Sequence, residues 1–268
     1  LTFAPGDEIL ITNQTYGAVR NTVAHACART GARLIAVDLP FPDPNDGAII
    51  AAFTNGLSKH TKLVIIDHVT SPTALILPIA KLAAEARKTN ARILVDGAHA
   101  PGMVPLDLAD IDCDHYTGNC HKWLCAPKGA GFLWSNRAFL AETHPSVISH
   151  GHDQGYVAEF DWTGTRDASA QFVLHETMAF LNRLGADDIK IYNHALALTA
   201  AEALASAWKT RVGASRAFTG SMAMVELPIR GSATPEGGMA IRETLLQTFK
   251  VQVPINALDN RYWARISA

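Results

Sequence analysis

Two short stretches concentrate the reactive side chains of this chain. One is Val95-Asp96-Gly97-Ala98-His99-Ala100-Pro101-Gly102; the other runs Gly118-Asn119-Cys120-His121-Lys122-Trp123-Leu124-Cys125 and on through Pro127-Lys128-Gly129. Asp96 stands where an apolar run meets a small-residue turn, a place that holds a carboxylate rigidly. Taken alone it reads equally well as a helix N-cap or turn-former. Lys122 lies among Cys, His and Trp instead of on a polar face. A partly buried lysine loses basicity and becomes a nucleophilic amine, although most lysines simply run their stems along apolar surface.

The pairing changes the balance between these readings. Pyridoxal-phosphate chemistry needs a lysine to form the imine. It also needs a carboxylate to keep the ring nitrogen protonated, so that the ring can accept carbanion electrons. Two other chemistries compete. Cys113, His115, Cys120, His121 and Cys125 are all metal-ligand types, but their spacing lacks the paired C-x-x-C or H-x₃-H clusters of structural zinc. A serine hydrolase would need a G-x-S-x-G elbow, and none occurs.

The elements that must position these groups alternate. Apolar runs at Glu8–Thr12, Arg33–Val37, Leu63–Asp67 and Arg92–Asp96 are separated by helical patterns over about 18–30, 46–56 and 78–89. Continuous apolar strands between helices predict a mostly parallel sheet covered on both faces. Ligands gather at the carboxyl ends of such strands, where Asp67, His68, Asp96 and His99 fall. A polar, glycine-rich loop is expected over 149–155. A long helical region follows over about 170–208, interrupted near Gly185. Met222–Leu227 and the final residues read as strands of a smaller α/β unit. We therefore divide the chain into a large domain over 1–184 and a small C-terminal α/β domain over 185–268. Both ends read as truncated, which would leave the large domain without its N-terminal part and the small one incomplete.

Composition narrows the partners. Lys plus Arg total 23 against 25 Asp plus Glu, so neither nucleic acid nor an anionic membrane surface is expected. No apolar run reaches the roughly 18 residues that span a bilayer. Four cysteines in 268 residues point to a reducing, cytoplasmic setting without a disulfide scaffold.

The motifs Asp96-Gly97-Ala98-His99, His121-Lys122-Trp123 and Pro127-Lys128-Gly129 resemble the class V aminotransferase family of fold type I pyridoxal-phosphate enzymes, in particular its isopenicillin N epimerase-like branch. The resemblance extends through Tyr16-Gly17-Ala18, His68–Thr73, Asp161–Asp167 and Arg265-Ile266-Ser267. It implies that Lys122 carries pyridoxal 5'-phosphate as a Schiff base and that Asp96 pairs with the pyridine nitrogen. It further implies that His99 bonds the cofactor's phenolic oxygen and that Tyr16 stacks on the ring, a tyrosine that sequence alone favours as a core aromatic. His121 and Asn119 would contact the phosphate. Thr165 would reach the phosphate of a neighbouring subunit in a homodimer with shared active sites, and Arg265 would clamp a substrate carboxylate. The implied enzyme acts on an amino acid through a Cα carbanion, by epimerase-like or carbon–sulfur lyase-like chemistry, with transamination or cofactor binding without turnover as alternatives. The family's cysteine desulfurases use a mobile-loop cysteine in the later part of the chain. No cysteine follows Cys125, so that persulfide chemistry is not expected.

Overall fold

Why the first half folds as it does can be read from the parity of its apolar strands. In a strand, successive side chains face opposite ways, and β1 (Glu8–Thr12) is buried at every position. Ile9 and Ile11 pack with Val23 and Cys27 of α1 (Gly17–Thr30). Leu10 faces the other way, in one cluster with Ile49 and Phe53 of α2 (Asp46–Gly56) and Leu82 of α3 (Ile79–Arg87). β3 (Thr61–Asp67) splits in the same manner, Ile65 toward α1 and Val64 with Ile66 toward the α2 and α3 side.

The computed structural model describes residues 1–268. With β2 (Arg33–Val37), β4 (Arg92–Gly97), β5 (His115–Asn119) and β6 (Gly131–Ser135) these strands form a six-stranded sheet of order β2-β1-β3-β4-β5-β6. Every pairing is parallel except β5 with β6. The mostly parallel sheet flanked by helices is the architecture expected from the sequence. Sequence reading passed over β5 and β6. β5 reads His-Tyr-Thr-Gly-Asn, alternating in burial, and offers no apolar run to notice.

The helical region over 170–208 is three helices: α5 (Ser169–Phe172), α6 (Leu174–Leu184) and α7 (Ala186–Trp208), preceded by the short α4 (Tyr156–Asp161). The break near Gly185 is a left-handed residue between α6 and α7. Beyond it lie β7 (Met222–Glu226), α8 (Pro235–Phe249), β8 (Ile255–Leu258) and β9 (Arg261–Ser267), whose strands form an antiparallel sheet of order β7-β9-β8. Sequence reading did not separate α8 from its surroundings. The core is continuous between the two sheets: Met222, Met224 and the fully buried Trp263 belong to the same apolar cluster as Leu10, Val64 and Ile93. No helix is long and apolar enough to cross a membrane.

Candidate active site

The site begins with register. Asp67 on β3, Asp96 on β4 and Thr117 on β5 are neighbours across the sheet, Asp67 opposite Asp96 and Asp96 opposite Thr117. Residues in register point to one face, here the α1 side, at the carboxyl ends of three parallel strands. All three line a cavity of about 370 Å³. Tyr16, Ser71, His99, Asn119, His121 and Lys122 line it too. The structure thus brings six of the eight sequence-predicted residues to one cavity wall.

The turns after β4 and β5 must approach each other closely to do this. Gly102 has φ +82°, and a Cβ there would lie 2.5 Å from the carbonyl oxygen of Trp123. Only glycine suits both demands, so the segment after Asp96 can lie against the segment that carries Lys122. Gly97 is constrained by packing instead: a Cβ would sit 2.2 Å from the Tyr116 ring.

Electrostatics differ sharply among the site's groups. Burial lowers the basicity of the half-buried Lys122 amine. Asp96 opposes that effect, Arg265 adds to it, and Asp67 opposes it. Burial, then the charges of Lys122 and Arg265, push His99 down to about 3, so its imidazole is neutral at neutral pH. The Trp123 indole, which can only donate, gives a hydrogen bond to His99 Nδ1 at 3.3 Å. The neutral ring therefore carries its proton on Nε2. His121 is held by the opposite atom use: Nδ1 donates to the Ala130 carbonyl at 3.1 Å, leaving Nε2 uncommitted. Asp96 Oδ1 accepts from the Ala98 backbone N–H at 3.0 Å, so it is a turn-former as well as a cavity carboxylate.

Three residues correct or extend the readings above. Tyr16 is not a core aromatic: it is half exposed, at 53%, on the cavity wall at the start of α1. Arg265 does not lie on an edge strand, because β9 is the central strand of its sheet. Its half-buried guanidinium donates to the carbonyl oxygen and hydroxyl of Ser71, itself on the cavity wall. Burial weakens its hold on its proton, and a buried cation bonded only to neutral groups is a ready partner for an anion. Thr165 is the residue the fold keeps away from this cavity. It is exposed, in the segment between α4 and α5.

Sequence reasoning gave no role to Ser71, Thr117 or the second carboxylate, Asp67. Asp67 had one visible signal, its place at the end of an apolar strand. Its adjacency to Asp96 appears only in the register. The cysteine and histidine cluster weighed for zinc is dispersed: Cys113 and Cys120 pack in separate apolar clusters, and His115 bonds the Ser135 hydroxyl.

A parallel sheet with a lysine, a carboxylate and anion-accepting groups at its carboxyl end defines the fold type I class of pyridoxal-phosphate enzymes. Solved structures agree in fold. The cystine C–S lyase C-DES in complex with its product cysteine persulfide superposes with a TM-score of 0.78 at 24% identity, over 100% of this chain and 72% of that one. Within that class, the chain belongs to the class-V aminotransferase family, whose model matches residues 1–234. Among curated relatives, a putative L-cysteine desulfhydrase of Oryza sativa subsp. japonica is 37% identical over 265 residues, covering 94% of this chain and 55% of the relative. An isopenicillin N epimerase of Amycolatopsis lactamdurans is 30% identical over 271 residues, covering 94% and 67%. The chain spans about half the length of the rice relative.

Proposed function

We propose that this chain is the cofactor-binding part of a pyridoxal-phosphate enzyme acting on an amino acid, with carbon–sulfur lyase chemistry on a cysteine-like substrate as its leading activity. The observation that carries the reading is the convergence of Lys122, Asp96, His99 and His121 on one cavity. The residues fit the cofactor's parts. Lys122 offers an amine of lowered basicity to its aldehyde carbon, Asp96 a carboxylate to its ring nitrogen, His99 an Nε2–H to its phenolic oxygen. His121 and Asn119 would contact its phosphate, and Tyr16 would stack on its ring. When bound, pyridoxal phosphate draws electrons from the substrate Cα and so makes that carbon acidic.

The chain's own groups do the rest. Arg265, held by Ser71, takes the substrate carboxylate and so fixes which bond at Cα faces the cofactor. The Lys122 amine would serve as the base for the Cα proton. His99 stays neutral beside two cations, so it donates without adding positive charge. The preference for lyase chemistry follows the desulfhydrase relative named above. The epimerase reading keeps its own support, since a second isopenicillin N epimerase, from Streptomyces clavuligerus, is 41% identical over 150 residues.

A homodimer completes the proposal. Phe172 is 83% exposed, Val157 78%, and Ile191 and Tyr192 66% each, large apolar side chains that a second copy would cover. Thr165, exposed between α4 and α5, is the residue this dimer would offer to a neighbour's site. The four cysteines are unpaired, which suits a reducing compartment such as the cytoplasm.

The test is a panel of L- and D-cysteine, cystine and other amino acids given to the full-length protein with pyridoxal phosphate. Sulfide and pyruvate from L-cysteine support lyase chemistry. Exchange of the Cα proton with inversion and no sulfide supports the epimerase reading. A protein that takes up no cofactor overturns both.

A further inference from the structure

We propose that Asp67 is a positioning residue held as the neutral carboxylic acid, which donates a hydrogen bond from Oδ2 to the Asp96 carboxylate. The inference rests on the cofactor reading above for its purpose, and on geometry for its existence.

Asp67 is 2% exposed and lies in register beside Asp96. Its Oδ2 is fully buried and has no hydrogen-bond partner. A buried carboxylate oxygen without a partner is costly. Burial and the Asp96 charge outweigh the Thr15 hydroxyl and the Tyr16 backbone N–H, which favour the ionised form. The residue in register beside Asp67 on the neighbouring strand is another carboxylate, Asp96. Two carboxylates so placed do not both ionise; one takes up a proton. A proton on Oδ2 turns the orphaned acceptor into a donor and Asp96 into its acceptor. The charges around the pair favour this order. Asp67 is pushed up to about 7, first by burial and then by the Asp96 charge. The other titratable groups on the cavity wall are Tyr16, His99, His121 and Lys122. His99 is neutral, and Lys122 is the cation that faces both acids.

The consequence concerns Asp96. A carboxylate that accepts a hydrogen bond is a weaker base. Opposite a pyridine nitrogen it leaves the shared proton on the ring, where the proton makes the ring an electron sink. The pair also carries one negative charge against one positive ring, not two.

Infrared difference spectra of the cofactor-free protein read the acid directly. Wild type minus Asp67→Asn should show the carbonyl stretch of a protonated carboxylic acid, fading as pH rises through about 7. With cofactor labelled with ¹⁵N in the ring, Asp67→Asn keeps a donor toward Asp96 and should hold the nitrogen signal in the protonated position. Asp67→Ala should move it toward neutral pyridine, with thermal melts of both variants confirming that they fold. No acid band in wild type below pH 7 overturns the proposal. So does a ¹⁵N signal that is the same in wild type and Asp67→Ala. Should wild type bind no cofactor, the cofactor reading fails and the infrared spectra alone decide the carboxyl pair.

Discussion

At the scale of single residues, the site works by pushing ordinary side chains away from their ordinary charge states. If Lys122 holds the cofactor as proposed, Lys122→Ala removes the attaching amine, and the visible absorbance of bound pyridoxal phosphate, together with its loss on borohydride treatment, should vanish. Asp96→Asn should keep cofactor and lower turnover on the order of 10²-fold, the usual cost of removing one preorganised electrostatic partner. The cofactor-free protein should show the same charge states as a pH-dependent stability. Burial takes His68 to about 4 and His99 to about 3, from 6.5. Between those values the unfolded chain binds the protons, so stability drops as pH falls from 6.5 toward 4. Asp67, raised from 3.8 to about 7, has the opposite sign: the folded chain binds that proton, and stability drops as pH rises through the same window. Two imidazoles against one carboxyl leave a net loss on the acid side. At ~1.4 kcal/mol per pKa unit each is an effect of a few kcal/mol. Asp67→Asn removes the opposing group, so its melting temperature should fall more steeply than that of wild type between pH 6.5 and 4. Parallel melting curves would contradict these charge states.

At the scale of elements, the decisive contact is between the turn after β4 and the turn after β5. Gly102→Val forces a branched side chain into a left-handed conformation and against the Trp123 carbonyl. Strained backbone of this kind costs about 1–3 kcal/mol, and the displaced Trp123 would release His99. We expect a lower melting temperature and weakened cofactor binding together; a variant that loses stability while binding cofactor normally would show that the contact does not position the site. This relation was out of reach of sequence. The glycine was visible, but nothing in a string of residues says which backbone it approaches. The first four strands and α1 to α3 were legible from apolar runs such as Leu63-Val64-Ile65-Ile66 of β3 and the helical patterns between them. β5 and β6 were not, since a half-polar strand beside an antiparallel edge has no such signature.

At the scale of the whole molecule, one apolar cluster takes residues from both sides of the division at 184 and 185 proposed from sequence. Trp263, from the last strand, is fully buried beside Met222 and Met224 in the cluster that covers the large sheet. Trp263→Ala should cost about 3–5 kcal/mol and lower the stability of both parts in one transition, measured by denaturant unfolding with probes in each. Two separate transitions, with the large part unchanged, would show that the halves fold independently. The proposed dimer belongs to this scale as well. Phe172→Asp should shift sedimentation from dimer to monomer and lower activity, because a neighbour's Thr165 would no longer reach the site.

By itself the sequence determined which residue types were available and which strands were buried. Apolar periodicity reports local burial, and a lysine, an aspartate and two histidines beside small residues report a chemistry. The fold class was therefore readable from the residues, and Lys122 with Asp96 stood out as a candidate pair, while His99, His121 and Asn119 became candidates through the family resemblance. The tertiary structure alone decided what stands beside what. Strand register put Asp67 next to Asp96, folding brought Arg265 across to Ser71, and packing set Trp123 against His99. These pairings join residues far apart in the chain, and they depend on alignments of strands and turns that no local pattern encodes.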